Sequence, residues 1–376
     1  MSQNILYHEV APQNDNPDGF VEFNTIDWEL MVEGRSLLKN SIVIEADITV
    51  YKTGTTDLVV ADRVGLENKI GFHGIFESWS CEGAGQNLQN LADYPRYVNM
   101  VASATLGQND TNDIKYQAEG RTPTEAGGRY VLQRTLAHNK SSTHADRFLP
   151  ANFSVMPKIC FNSMVGDDYS FSRNGSIRVS CNLARNNQFL HGGDVVATSN
   201  YKLTNVKLRF ISVPDSGKQG KMIMNSAVSV KTTVNSQQAN IGVKVPAQAC
   251  NGVVISFIKQ SNDNAVGENS YALEQYPRLD EVQYLFSDAT NKYITYVIDD
   301  HEEMRQRGLN ALTDSRHNQV NGATLKANNG EIIGLSFEEF IDLRNQKFTV
   351  QLKSSATDLA TNPRLVFLYF LNLISL

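Results

Sequence analysis

The sequence carries no recognisable catalytic signature. Its 376 residues contain no G-x-S-x-G, no Walker A loop and no H-E-x-x-H. The exposed nucleophile turn, the phosphate cradle and the paired helical histidines that those spacings build therefore have no basis here. Cysteine is scarce: Cys81, Cys160, Cys181 and Cys250 stand far apart with no C-x-x-C, which argues against a zinc ribbon and a disulfide scaffold. Cys181 falls on the apolar phase of its segment, as a reduced core thiol does. Positive charge is not in excess. The 34 Lys and Arg are outnumbered by 40 Asp and Glu, a formal net charge of −6, whereas a surface that packages nucleic acid should be basic.

Residues 1–34 hold Glu9, Asp15, Asp18, Glu22, Asp27, Glu29 and Glu33 with no Lys or Arg. Such a segment is repelled by phosphates and anionic lipid heads and reads as a solvated surface stretch. The first 20 residues lack the basic and apolar regions of a secretory leader. Without secretion, the N-x-S/T sequons at Asn109, Asn139, Asn152 and Asn174 carry no weight. Long hydrophobic runs are also missing. The closing LVFLYFLNLISL is twelve residues, too short to cross a bilayer as a helix, and reads as a buried last strand.

What the chain has in abundance is period-two alternation. SIVIEADITVY places Ile42, Ile44, Ala46, Ile48 and Val50 on one side. IRVSCNL, IGVKV, KFTVQL and NVKLRF alternate in the same way, and further strand-like runs are IGFHGIFESW, RYVLQRTL, GVVISFI, KYITYVI and LVFLYF. Turn-rich stretches such as NDTND, DSGKQG and NGATLKANNG separate them. The fold class is all-β, with the long connections of sandwiches and jelly rolls. Three short helices are expected. Tyr-Pro-Arg opens two of them, at 94–105 and 276–286, where apolar residues recur at the same offsets after Pro95 and Pro277. A third, of mixed charge and exposed, covers roughly 300–312.

The chain also reads as a tandem. A strong strand at 203–213 ends in Pro214-Asp215-Ser216-Gly217, and a second apolar alternation begins at 222. Each half runs from early strands through its own Pro-started helix to a terminal strand. The polar 214–220 stretch is the seam, with Pro214 and Gly217 suited to a reversal. The division is an N-terminal arm at 1–20, a first β unit at 21–214 and a second at 215–376.

Candidate chemistry is thin. HEEMR at 301–305 has Arg where a zincin helix needs a second His. GAGQNL at 83–88 has Leu88 where a dinucleotide fingerprint needs Gly or Ala, so it reads as a surface loop. HGGD at 191–194 lacks a nucleophile elbow and reads as a strand connection. The acid pairs Asp167-Asp168, Asp299-Asp300 and Glu338-Glu339 are adjacent, so on a strand their carboxylates point to opposite faces. His138 and His144 flank a Ser/Thr-rich loop and read as free loop histidines. Trp28 and Trp79 lie in alternating segments and read as packing residues. No residue is assigned a catalytic, cofactor-binding or metal role.

The seam run NVKLRFISVPDSGKQ resembles the strand that closes the first barrel of double jelly-roll major capsid proteins of tailless icosahedral DNA viruses, the tectivirus–adenovirus-like lineage. RSLLKNSIVIEADITVY resembles their opening strand pair, and GFHGIFESWSCEGAGQNLQNLADYPRYVNM the strand, loop and short helix that follow. RNGSIRVSCNLARNNQFL resembles a later strand of the first barrel, and IIGLSFEEFIDLRNQKFTVQLKSSATDLATNPRLVFLYF the closing strands of the second. The resemblance covers nearly the whole chain from about residue 20. It implies two tandem eight-stranded jelly rolls and a non-enzymatic virion protein. That protein would be a homotrimer tiling a pseudo-hexagonal lattice around an internal membrane, assembled in the host cytoplasm. Its partners would be neighbouring capsomers, penton or vertex and minor capsid proteins, and membrane proteins or lipid, with no sequence-specific nucleic-acid contact and no cofactor. The other reading is a β-sandwich carbohydrate-binding or host-adsorption spike, with a groove near Trp79 or the loop around Tyr130.

Overall fold

Alternation along each strand decides which side chains are buried. In Ile177–Leu183 the residues Ile177, Val179, Cys181 and Leu183 are buried, while Arg178 and Asn182 are exposed. The computed structural model describes every residue except 1–3, 53–55, 58–63, 68, 106–117, 121–150, 193–196, 218–220, 275, 288–292 and 315–330. In the first half the principal strands are β1 (Leu6–Val10), β2 (Thr25–Leu30), β3 (Val43–Lys52) and β4 (Phe76–Gly83), then β5 (Gln86–Leu91), β6 (Ala151–Val155), β7 (Ile177–Leu183) and β8 (Asn200–Pro214). The second half has β9 (Met222–Val234), β10 (Gln238–Val243), β11 (Cys250–Lys259) and β12 (Leu279–Ser287), then β13 (Tyr293–Ile298), β14 (Ile332–Ile341), β15 (Lys347–Ser354) and β16 (Arg364–Ser375).

All of these strands pair antiparallel, in four sheets. The first half forms β1–β8–β3–β6 and β2–β7–β4–β5. The second forms β9–β16–β11–β14 and β10–β15–β12–β13. Raising every number in the first pair of sheets by eight gives the second pair. Each half is one eight-stranded jelly roll, and the chain is a double jelly roll. Short extra strands decorate both: Arg35–Leu37 pairs with β8, and Met164–Gly166, from the first half, extends the second roll's sheet beside β9. β1 lies within the segment read as an arm. It is a strand of the first sheet, paired to β8 from Leu6↔Ser212 to Val10↔Leu208.

Two helices punctuate the rolls at equivalent places. α1 (Tyr94–Thr105) follows β5, and α2 (His301–Asp314) follows β13. Both were expected. The helix expected at 276–286 is instead strand β12. Its alternation Val282, Tyr284, Phe286 is buried, and it pairs on both sides, with β13 and β15. The register shifts between Leu279 and Glu281. That bulge puts Leu279 and Val282 on one face at an odd spacing, which mimics helical periodicity. The first residues of IGFHGIFESW form a 3₁₀ turn over Gly71–Ile75, and the strand begins at Phe76. α2 is not fully exposed: Met304, Ala311 and Leu312 are buried against the sheet. RYVLQRTL lies outside the described residues.

The apolar core forms two clusters: one fills the first roll and runs across the seam onto β9, β11, β16 and α2, and the other fills the second roll. Trp28, Trp79, Phe76 and Phe161 belong to the first, and Tyr284, Phe348, Phe337 and Phe370 to the second. Each fully buried side chain of this kind contributes roughly 1.5–3 kcal/mol. β16 serves both clusters. Val366, Leu368 and Phe370 face the second core, while Leu365, Phe367, Tyr369 and Leu371 face the first. Burial on both faces explains why LVFLYF is a continuous apolar run rather than an alternation. All four cysteines are free and buried. At the seam, β8 ends at Pro214, Gly217 adopts φ +67° and β9 starts at Met222. The Gly217 N–H donates to Asp215 Oδ1 at 3.0 Å, closing an Asx turn.

Candidate functional site

The residues singled out for chemistry are dispersed. GAGQNL is the β4–β5 hairpin, turned through Ala84 and Gly85 at φ +51° and +68°. His191 is buried and bridges to Gly65. Asp168 accepts the Lys39 N–H at 2.9 Å, and Asp300 accepts the Glu303 N–H at 2.7 Å as the cap of α2. His301 lies 2.9 Å from the buried carboxylate of Glu331, whose value burial raises. His138, His144, Tyr130 and the side chain of Glu338 lie outside the described residues. Trp28 and Trp79 are 1% and 0% exposed, so neither indole is available to stack on a sugar. Among the described residues no three His, Cys, Asp or Glu side chains gather as metal ligands. No described helix is long and apolar enough to cross a membrane.

What the fold does build is a set of surfaces. The first is the seam between the rolls. α1 belongs to the first roll, yet it grips the outer face of the second roll's β9–β16–β11 layer. The Tyr97 ring packs, tilted by 36°, on that of Tyr369 at 5.4 Å, and the Arg96 guanidinium sits 4.1 Å over the Phe367 ring. Arg96 also donates to the carbonyls of Ala272, at 2.9 Å, and Ser270, and Asn99 donates to that of Tyr271. Buried backbone acceptors are satisfied in this way, and the guanidinium is ordered. Lys231 on β9 pairs with Asp263 at 2.9 Å and Asp93 at 3.9 Å. Burial pushes the nearby Glu77 carboxyl up to about 8. Asp93 and Asp263 add to the shift, and Lys231 and Arg96 oppose it.

The second surface is the outer face of the β1–β8–β3–β6 sheet, chemically its opposite. Glu9 on β1 holds Lys207 and Arg209 of β8, and Arg209 also reaches Glu45 of β3 at 2.9 Å. These hydrogen bonds lower the Glu9 carboxyl below its ordinary value, first through Lys207 and then Arg209. The third surface is the outside of α2 and its flanks. There Val297 and Phe340 are 54% and 60% exposed, and an open groove of about 710 Å³ runs between Glu303, Arg307, Asn310 and Phe340. The alternation of NVKLRF foretells that Lys207 and Arg209 point outward. Nothing in the sequence foretells Arg96, Asp93 or Glu9, whose partners lie in remote parts of the chain.

No protein-family model matches the sequence, and no curated protein does. Solved structures do match. The chain is similar over 100% of its length to the crystal structure of PBCV-1 VP54 fitted into a cryo-EM reconstruction of the virophage Sputnik. It covers 95% of that chain at TM-score 0.58 and 10% identity. The Faustovirus major capsid protein matches over 100% of this chain and 90% of its own, at TM-score 0.58 and 10% identity. The mavirus major capsid protein matches over 98% and 88%, at TM-score 0.51 and 9% identity. At such identities the likeness is one of fold: the chain shares the double jelly roll of these capsid proteins.

Proposed function

We propose that this protein is a major capsid protein, the repeating tile of an icosahedral virus shell. The likeness of fold along the whole chain to viral major capsid proteins carries this reading. Twin rolls locked by a shared core make a rigid block with flat flanks, and identical blocks can cover a surface by symmetry. The building block is a homotrimer whose six rolls give a pseudo-hexagonal outline. Residues 21–214 and 215–376 are its two units, with the 1–20 segment lending a strand to the first.

Its role is structural rather than enzymatic. Its partners are its own copies, vertex and minor capsid proteins, and an internal membrane or the proteins in it. Its place is the virion, assembled in the host cytoplasm. The acidic stretch at 1–34 suits a shell that keeps clear of phosphates.

Negative-stain imaging of the purified chain tests this. Trimers of hexagonal outline, near three times 41.8 kDa, or closed shells support the reading. A stable monomer at micromolar concentration overturns it, because tiling needs interfaces of about 1,000 Å² or more.

A further inference from the structure

We propose that β1 is an acid-released strand: it lies docked on β8 at neutral pH and leaves it when His8 takes up a proton beside Arg35. The release belongs to the single chain and goes beyond the tile reading. β1 is an edge strand that pairs, among the described strands, with β8 alone. Little apolar burial holds it there. Ile5, Leu6 and Tyr7 are exposed, and Val10, partly buried, is the apolar side chain that packs on the core. Docking therefore depends on polar contacts, and a strand held in this way opens before the core does.

One hydroxyl carries the switch. Ser212 of β8 is fully buried. Its Oγ accepts the Arg35 Nε–H at 2.6 Å and lies 2.7 Å from His8 Nε2. At neutral pH the hydroxyl gives its own hydrogen to the bare imidazole nitrogen, and both contacts are satisfied. A protonated His8 carries a hydrogen on that nitrogen, so two cations then face one oxygen. Arg35 is not free to swing clear, because it also donates to the carbonyls of Ser212, at 2.9 Å, and Asn4. The His8 ring is fixed by its stack on Phe210, at 4.7 Å with 17° between planes.

Burial, and after it the Arg35 charge, lower the His8 value below the ordinary 6.5. A released His8 lacks both and binds its proton more readily, so a fall in pH through and below 6.5 favours release. The next residue adds a second step. Glu9 is held by Lys207 and Arg209, and Arg209 is shared with Glu45 of β3. The bonds to Lys207 and Arg209 lower the Glu9 carboxyl below its ordinary 4.5, so its hold is lost at still lower pH, after His8 has charged. Release bares the β8 edge from Leu208 to Ser212, an open template for another strand, and frees Ile5, Leu6 and Tyr7 with it.

Hydrogen–deuterium exchange of the full chain, corrected for the intrinsic pH dependence of exchange, tests the release. Between pH 7.5 and 5 the peptide over residues 4–10 should lose protection by roughly tenfold, while peptides of β3 and β16 keep theirs. His8→Gln, whose amide still reaches Ser212, should abolish this step, and Glu9→Gln should lower protection at pH 7.5 yet keep the step. An NMR titration gives a second readout. The wild-type His8 imidazole should titrate below 6.5 and move toward 6.5 in Arg35→Gln. Unchanged β1 protection at pH 5, an equal step in His8→Gln, simultaneous loss in β3 and β16, or a His8 that titrates at or above 6.5 overturns the proposal.

Discussion

The hydroxyl of Tyr369, on the last strand of the second roll, donates to the backbone carbonyl of Asp93 at 2.8 Å, across a separation of 276 residues. Asp93 immediately precedes α1, so this bond pins the first roll's helix to the second roll's central layer. The Tyr97 ring and the Arg96 guanidinium continue the contact onto Tyr369 and Phe367. The two rolls therefore share one cooperative seam rather than hanging on the 214–220 connection.

Substitutions graded along this seam test its cooperativity. Tyr369→Phe keeps the ring and removes one hydrogen bond, at a cost of about 1 kcal/mol. Arg96→Met leaves the carbonyls of Ala272 and Ser270 unanswered in a buried place, and it costs roughly 2–4 kcal/mol. In denaturant unfolding the wild type melts in one transition. Arg96→Met separates it into two, one for each roll. A single transition shifted by less than about 0.5 kcal/mol would show that Arg96 does not hold the rolls together.

Both tryptophans are structural, which sets the capsid reading against the adsorption reading. Trp79 packs on Phe76 at 5.0 Å and edge-on to Tyr94 at 6.0 Å. Trp79→Ala should destabilise the chain by about 3–5 kcal/mol. Native emission should be blue-shifted, insensitive to aqueous quenchers, and unchanged across a glycan panel. A glycan that shifts the emission would restore the spike reading.

Much of the fold is written in alternation, and the exceptions have physical causes. β3, β7, β8 and β15 are legible because one face of each is wet and the other dry. β1 is not legible: LYHEV is five residues at a sheet edge, with Leu6 and Tyr7 left 41% and 80% exposed, so no apolar stripe marks it. Its register comes from Glu9 and from His8, stacked on Phe210 at 4.7 Å, partners some 200 residues away. β12 looks helical because of its bulge. The candidate surfaces were the least legible. A flat protein–protein face needs no spaced motif, and Arg96 or Lys207 reads like any surface cation until its neighbours are known.

Stability should fall as pH rises through the range that titrates Glu77. Its carboxyl is pushed up to about 8 in the native protein, from an ordinary value of 4.5. Below 4.5 both native and unfolded chains hold the proton, and the group is neutral to stability. Between 4.5 and 8 the native state keeps a proton that the unfolded chain has released, so each rise in pH favours unfolding. Above 8 the full loss is present, on the order of a few kcal/mol. Glu77→Gln removes the titration. Its melting temperature should match the wild type at pH 5 and exceed it at pH 9, and equal melting temperatures at pH 9 would contradict the assignment.

α2 lies so close on its sheet that backbone meets backbone at Gly308. Gly308 has no Cβ because there is no room for one. A methyl there would sit 2.7 Å from the Ile333 carbonyl carbon and 2.9 Å from the Ile332 oxygen, and across from it the Cβ of an alanine at 334 would sit 3.1 Å from the Gly308 Cα. Alanine is the better helix former by about 1 kcal/mol, so on an exposed helix Gly308→Ala would stabilise. Here the overlap with backbone dominates. The helix must lift from β14, and a net loss of about 1–3 kcal/mol is expected. The exposed neighbour Asn310→Ala, by contrast, stays within about 0.5 kcal/mol. A stabilised Gly308→Ala would mean that α2 stands off the sheet.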